Sequence, residues 1–408
     1  MRFKLKILVI LALIPVFLMM SETVYFMNQA NGHQSGCHRW HTCPSDTGSY
    51  TCGDLGHGCN SDDDEDDDDD KKKSSSSNSD ENEEDSEKYD DEDGSGSNSA
   101  PITEENPNYR FLKKWGSTGS DDGEFNHPAS IDTDENGQRL YVADLDNNRV
   151  QVLDGDGNFI TEWGELGSGV GQFDGPGNVA VDDENKVVFV ADIKNNRIEK
   201  FDINGNYISQ WGRLGSGEGE FDHPGDIALD PNEEILYVTD IYNNRVQKFQ
   251  YDGNYTSEWG SFGTGDGQFN RPAGITIDRE GNQIYVSDTV NNRIQVFDGE
   301  GNFVSEWGSF GTDDGQFNRP DGIYYEPSEK IVYVADRKNK QIQVFGEDGS
   351  FVDKWTVSDS DSKKIVKPRD VVLDASGRAY VVDKVNNNIL IYNTKESSLD
   401  YDDMLIVK

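Results

Sequence analysis

Short runs of alternating apolar and polar residues recur along residues 109–392, and turn-forming residues bound each run. Residues 268–307 show the unit clearly. They predict four strands, at 272–278, 283–288, 293–297 and 303–307, separated by Gly- and Asn-containing turns. Four short antiparallel strands form a small sheet that cannot bury both faces alone. Such sheets become stable when they stack side by side.

The unit repeats with a fixed period. Six tryptophans are each 48 residues apart, and a Phe-x-x-Pro sequence and an Asp that closes a β-rich run follow the same interval. The tryptophans are Trp115, Trp163, Trp211, Trp259, Trp307 and Trp355. A period of this length predicts propeller blades, with the large aromatic side chains packed between neighbouring blades.

The two ends of the repeat array complement each other. Residues 109–115 predict a fourth strand with no blade before it, whereas residues 368–392 supply three strands without a fourth. We therefore expect an all-β, six-bladed propeller over residues 108–395, in which the N-terminal strand closes the last blade against residues 388–392. A C-terminal tail follows at 396–408.

The motif Val-Ala-Asp144-x-x-Asn-Asn-Arg149-Val-Gln-Val recurs, with copies ending at Arg197, Arg245 and Arg293. Together with the Phe-x-x-Pro lead-in and the Asp-Gly-x-Gly-Asn-Phe turn, it resembles the NHL-repeat family of six-bladed propellers. Blades five and six depart from the motif, with Lys340 and Asn388 interpreted as standing at the Arg position. We expect the repeated Asp to accept backbone N–H groups and the Arg to pair with carboxylates between blades.

The N-terminal segment predicts export. Basic Arg2, Lys4 and Lys6 precede an apolar run at residues 7–20, so residues 1–30 form either a cleaved signal peptide or an anchor over residues 7–27. Residues 61–107 form an acidic low-complexity linker. Within residues 61–100, 19 acidic side chains face 4 basic ones, which predicts a disordered, extended tether.

Residues 31–60 contain all four cysteines and form a small Cys/His-rich module. The cysteines are Cys37, Cys43, Cys52 and Cys59. An even number of cysteines in an exported chain indicates two disulfides. Zinc is the alternative, because His38 and His41 lie among the cysteines and offer suitable ligands.

The charge balance limits the partners. The chain carries a net charge of −41, of which −27 belongs to residues 101–408. A domain this acidic will not gather nucleic acid through its overall field, so the RNA binding of some NHL propellers is not expected here. We expect a monomeric propeller that meets a protein, peptide or glycan outside the cell.

One face of the ring is the expected binding face. We call it the top face: it carries the loops from each fourth strand to the next blade and the loops between second and third strands. Loop residues vary there against a constant framework, and cations gather on blades four to six. The candidate residues are Arg271, Arg319, Arg337, Lys338, Lys367, Lys384, Tyr242, His127 and His223. The alternative is that acidic neighbours such as Asp313, Asp314 and Asp321 neutralise these cations.

The mouth of the central channel is a second candidate site. The residue two positions after each blade's proline lines the mouth, and Asn178, Asp226 and Asp370 there supply oxygen ligands for calcium. Blades three and six lie on opposite sides of the ring, so water filling a narrow channel is the alternative.

Two classes of function remain open. The first is an exported, non-enzymatic binding scaffold. The second is a metal-dependent lyase or hydrolase with calcium in the channel, since some propellers related to the NHL family are lyases. The propeller contains only two histidines, His127 and His223, and no cysteine, so a three-histidine zinc site cannot form within it. The sequence therefore favours the scaffold.

Overall fold

The structure is a computed structural model that describes residues 41–45, 48–52, 106–134, 136–359 and 364–394. The chain divides into two compact units, Met1–Gly96 and Ser97–Lys408. The first contains a hairpin of β1 (His41–Ser45) and β2 (Gly48–Cys52), in which His41 pairs with Cys52 and Cys43 with Tyr50. Cys37, His38 and Cys59 lie outside the described residues, as do the predicted signal and tail and residues 61–105 of the predicted linker.

The second unit is a six-bladed propeller, as predicted. The first strand is β3 (Arg110–Trp115), and five complete blades follow. Blade one comprises β4 (Pro128–Thr133), β5 (Arg139–Asp144), β6 (Arg149–Asp154) and β7 (Phe159–Trp163), with a short 3-10 helix at Leu145–Asn147. Blade two comprises β8 (Pro176–Asp182), β9 (Val187–Asp192), β10 (Arg197–Asp202) and β11 (Tyr207–Trp211). Blade three comprises β12 (Pro224–Asp230), β13 (Ile235–Asp240), β14 (Arg245–Gln250) and β15 (Tyr255–Trp259).

Blade four comprises β16 (Pro272–Asp278), β17 (Gln283–Asp288), β18 (Arg293–Asp298) and β19 (Phe303–Trp307). Blade five comprises β20 (Pro320–Glu326), β21 (Ile331–Asp336), β22 (Gln341–Gly346) and β23 (Phe351–Thr356). A short hairpin of β24 (Ser358–Asp359) and β25 (Lys364–Ile365) leads to blade six. Blade six comprises β26 (Val371–Leu373), β27 (Arg378–Asp383), β28 (Asn388–Asn393) and β3.

The predicted ring closure is confirmed. Strand β3 pairs antiparallel with β28, with Trp115 opposite Ile389 and Arg110 opposite Asn393. The inner strand of each blade packs on the next one, and β26 of blade six packs on β4 of blade one. Because blade six also packs on blade one, each face of every blade is covered by a neighbouring blade.

Buried apolar side chains lie between adjacent blades. The described residues form six core clusters, one at each blade interface. Between blades three and four, Trp259 packs against Phe297 with a centroid distance of 5.7 Å. The same indole covers Gly301, where a Cβ atom would lie 2.6 Å from Trp259 Cε3 and the backbone φ is +85°. Glycine is therefore required at this turn for two reasons: the backbone φ is positive, and the tryptophan of the preceding blade leaves no space for a Cβ atom.

Within the described residues, no helix is long and apolar enough to span a membrane.

Candidate functional site

The top-face loops are held by a repeated Asp–Arg clamp. In blade three, Asp240 accepts a hydrogen bond from the Asp222 backbone N–H (2.8 Å), and Arg245 Nε donates to Asp240 Oδ2 (2.9 Å). The guanidinium also donates to the carbonyls of Ser216, Gly217 and Glu220 at 2.8–2.9 Å. The Arg thus pairs with a carboxylate of its own blade, and the prediction of pairing between blades was wrong. Blades one, two and four repeat the arrangement.

In blade five, the residue at the Arg position of the repeated motif differs from the one that the sequence predicted. Gln341, not Lys340, stands opposite Asp336 and donates to its carboxylate at 2.9 Å. Lys340 occupies the position at which blade four has Asn292, whose Oδ1 accepts the N–H of Arg319 in the next blade at 2.9 Å. A lysine has no acceptor to offer there. Blade five therefore lacks this link at the point where the connection to blade six changes to the β24–β25 hairpin.

In blades one to five, the residue before the first proline of the blade adopts a left-handed backbone conformation. Arg271 and Arg319 have φ of +56° and +60°, and His127 and His223 have φ of +52° and +61°. The equivalent residue in blade two is Gly175, with φ of +72°. Glycine occupies this region freely, whereas other residues are strained there. Four blades thus keep a large basic or aromatic side chain at a position where glycine fits best.

Three of the predicted top-face residues form one cluster over blades three and four. The His223 and Tyr242 rings have a centroid distance of 4.2 Å, and the Arg271 guanidinium lies 5.0 Å from the centroid of Tyr242. His223 Nδ1 also lies 2.9 Å from Asp222 Oδ1. We call these side chains the His–Tyr–Arg stack. By contrast, His127 lies on blade one, where its Nδ1 is 2.5 Å from Asp146 Oδ2, so it does not join the stack.

Blades five and six form a second group of charges. The buried Asp321 carboxylate accepts from Arg369, and Arg337 Nη1 lies 3.4 Å from the same oxygen. Asp321 therefore offsets part of the charge that the sequence assigned to Arg337. Asp314 pairs instead with Lys354 at 2.8 Å. Lys338, Lys367 and Lys384 are partly exposed on the same face.

The channel residues Asn178, Asp226 and Asp370 are connected. Asn178 Nδ2 donates to Ser130 Oγ (3.0 Å) and to Asp226, and Ser130 in turn bonds Asp370. Asp226 also accepts the N–H groups of Ile227 and Ile275, at 2.9 and 2.8 Å. Asp370 accepts those of Val371 and Ile131, at 2.8 and 3.2 Å. A chain of hydrogen bonds through blades two and one thus connects the carboxylates of blades three and six.

Burial dominates the electrostatics of this channel. It raises the pKa of Asp370 to about 6, and it raises the pKa of Asp226 well above its ordinary value, with the charge of Asp370 adding to the effect. The cavity at the channel mouth is partly open to solvent and has a volume of about 30 Å³. Asn178 Oδ1 lines this cavity and is buried without a hydrogen-bond partner. An oxygen in this setting fits a small cation or a water molecule.

Among the described residues, no three His, Cys, Asp or Glu side chains converge closely enough to hold a metal ion by themselves. Any cation at the channel mouth would therefore depend on Asn178 in addition to the two carboxylates.

A family model described as "Lactonase, 7-bladed beta-propeller" matches residues 108–351, more than half of the chain. The chain belongs to this family. Its ring has six blades rather than seven, and the matched region ends in blade five. No curated protein matches the chain.

Three solved structures are similar to this chain. A structural genomics protein of unknown function from Bacteroides thetaiotaomicron is 20% identical, with a TM-score of 0.54 over 70% of this chain and 75% of that chain. Kuenenia stuttgartiensis hydrazine synthase is 12% identical, with a TM-score of 0.48 over 67% of this chain and 97% of that one. A nidogen/laminin complex chain is 16% identical, with a TM-score of 0.44 over 56% of this chain and 80% of that one. At these identities, only the fold of the first is informative.

Proposed function

We propose that this chain is an exported, non-enzymatic binding scaffold of the NHL-repeat type, whose top face over blades three to six captures an anionic protein, peptide or glycan. The proposal rests on one observation above all: Arg271 and Arg319 occupy left-handed backbone conformations at a position where blade two has Gly175.

A left-handed conformation costs a non-glycine residue roughly 1 kcal/mol or more. Because Gly175 shows that the loop accepts glycine, the fold does not require the arginine side chains. Their retention against this cost supports a role in ligand binding. The His–Tyr–Arg stack supports the same view, since the Tyr242 ring, which packs against His223, lies next to the Arg271 guanidinium on this face.

The size of the channel favours binding over catalysis inside the ring. A cavity of about 30 Å³ accommodates roughly one water molecule, whereas sites for organic ligands usually occupy several hundred Å³. A ligand larger than an ion therefore does not fit inside the channel, which is consistent with binding on the top face. The predicted export segment and acidic tether would present this face outside the cell, at the surface if the N-terminal segment is retained.

Paired glycine substitutions test the proposal. We expect Arg271→Gly together with Arg319→Gly to abolish retention on immobilised heparin and on a poly-glutamate peptide at low salt, while the melting temperature stays equal or rises. His127→Gly is the matched control, because it relieves the same conformation on blade one and should keep the retention. Equal retention by wild type and the double variant would refute the proposal.

A second candidate is a metal-dependent hydrolase. Two observations favour it: the family description names a lactonase, and Asn178 Oδ1 is buried without a hydrogen-bond partner while Asn178, Asp226 and Asp370 line the same cavity. These three residues would hold calcium at the channel mouth, where the ion would polarise a carbonyl oxygen. The Asp226 and Asp370 carboxylates are already fixed in position, because each accepts hydrogen bonds from two backbone N–H groups.

Metal analysis and a lactone-hydrolysis screen would test this candidate. Stoichiometric calcium that Asp226→Asn removes, together with hydrolysis that disappears in the same variant, would establish the hydrolase. Asp314→Asn is the control, since Asp314 pairs with Lys354 and does not line the channel cavity. Absence of calcium and of hydrolysis in the wild type would dismiss the candidate.

A further inference from the structure

Four large apolar side chains stand exposed on the top-face loops of successive blades. Each lies three residues after an outer-strand tryptophan. They are Leu166 and Leu214, both 67% exposed, and Phe262 and Phe310, both 70% exposed. We call them the apolar arc. They belong to the loops that enter blades two, three, four and five, so they follow one side of the ring.

The loops that display the apolar arc are rigidly held. Beside Phe262, the N–H of Phe269 donates to the Ser261 carbonyl (2.8 Å), and the N–H of Gly263 donates to the Phe269 carbonyl (2.9 Å). The clamp residue Arg293 binds two further carbonyls of this loop, those of Gly265 and Gln268, at 2.8 and 2.9 Å. The backbone that carries the phenyl ring is therefore fixed by hydrogen bonds, and the exposure of the ring does not result from a loosely held loop.

Blade one provides an internal control. Its loop makes the same two backbone bonds, from Phe125 N to the Ser117 carbonyl (2.8 Å) and from Gly119 N to the Phe125 carbonyl (3.1 Å). The residue at the arc position there is the exposed Thr118. The loop conformation is thus compatible with a polar side chain. Since folding does not require Leu or Phe at this position, their presence in four consecutive blades indicates contact with a partner.

The charges beside the apolar arc restrict that partner. Exposed carboxylates lie in the same loops, at Glu165, Glu218, Asp266, Asp313 and Asp314, and they outnumber the exposed Arg213, which pairs with Glu220. They would repel an anionic bilayer, and two copies of the arc facing each other would bring both acidic sets together. A partner surface that combines apolar side chains with lysine or arginine satisfies both the exposed apolar groups and the carboxylates.

We propose that the apolar arc is a docking surface for a cationic amphipathic protein segment, one that places leucine- or phenylalanine-like side chains beside lysines or arginines. This surface differs from the inner, cation-bearing part of the top face, and the proposal does not depend on the anionic ligand discussed above.

The test measures binding of a defined peptide to the full chain. The probe is a fluorescently labelled 18-residue peptide of Lys and Leu in amphipathic helical spacing, followed by anisotropy. The variant replaces Leu166, Leu214, Phe262 and Phe310 by Thr, the residue of blade one, and leaves every charge unchanged. We expect micromolar binding by the wild type, at least tenfold weaker binding by the variant, and no binding of a Glu/Leu peptide of the same pattern.

Equal affinity of wild type and variant for the peptide would overturn the proposal, and so would the absence of peptide binding by the wild type. The proposal would also be overturned if the wild type self-associates, or binds anionic vesicles, and the variant does not. The last pair would assign the arc to a second copy or to a lipid surface. Melting curves confirm that the variant folds. Retention on heparin should persist in the variant, so failure of this inference and failure of the anionic-ligand proposal give different results.

Discussion

Glu199 is a buried carboxylate at a position where four other blades place glutamine, at Gln151, Gln247, Gln295 and Gln343. In blade three, Gln247 Nε2 donates to the Glu220 carbonyl (2.7 Å) and to Asp240 (3.1 Å), and its Oε1 accepts the Gly219 N–H (3.0 Å). A carboxylate retains only the acceptor role.

In blade two, Glu199 Oε2 accepts the Gly171 N–H (3.1 Å), but Oε1 has no hydrogen-bond donor, although Arg197 Nη2 lies 2.6 Å away. That nitrogen already donates to two loop carbonyls. Burial, with a contribution from the charge of Asp192, raises the pKa of Glu199 from 4.5 to about 7. A proton on Glu199 would restore the donor that glutamine supplies elsewhere.

The sign and size of the effect follow from this pKa. The folded protein binds the proton more tightly than the unfolded chain, so the stabilisation is complete below about pH 4.5 and is lost as the pH rises to about 7. At 1.36 kcal/mol per pKa unit, the loss amounts to about 3 kcal/mol. We therefore expect Glu199→Gln to stabilise the protein by about 3 kcal/mol at pH 8 and by little at pH 4.

Urea unfolding of both proteins between pH 4 and 8 measures the difference directly, since other titrating groups cancel between them. Gln247→Glu should introduce the opposite change in blade three. A further control is Glu199→Gln with Gln210→Glu, which recreates the Arg149–Glu162 pair of blade one. A stability difference between wild type and Glu199→Gln that stays constant over this pH range would refute the reasoning.

Three further predictions concern the framework. Deleting residues 1–116 removes β3, so the protein should aggregate, while deletion of residues 1–105 should not change its melting. Arg293→Ala leaves buried Asp288 unpaired and should cost about 3–5 kcal/mol in urea unfolding; Arg293→Gln, the pairing found in blade five, should cost less. Gly301→Ala brings a Cβ atom against Trp259 and should cost roughly 1–3 kcal/mol, in contrast to a smaller loss for exposed Ser305→Ala.

The sequence predicted the ring because the 48-residue period and the complementary array ends constrain strand number and closure together. It misassigned the Arg partner because spacing along the chain does not reveal that Asp240 and Arg245 face each other across adjacent strands of one blade. The placement of Lys340 at the Arg position was also wrong, because the strand register pairs Gln341 with Asp336.

Other features depend on distances that a sequence does not contain. The link from Asp226 to Asp370 exists because Asn178 and Ser130 project into the same narrow channel. The apolar arc was overlooked although its members recur at 48-residue intervals, because periodic apolar residues are usually buried. The signal was present in the contrast with Thr118, which shows that this position accepts a polar residue.

The repeat itself makes such contrasts interpretable. Neighbouring blades place different residues in nearly the same backbone environment, so each serves as a control for the next. Gly175 shows that Arg271 is not needed for the loop, and Thr118 does the same for Phe262. Both departures lie in loops that enter the top face, where one rigid disc carries cations near the channel and apolar side chains with carboxylates further out. A partner that meets both zones is held in one orientation, because rotating it would place like charges together. Salt should weaken both contacts, whereas the glycine and threonine variants should remove them one at a time.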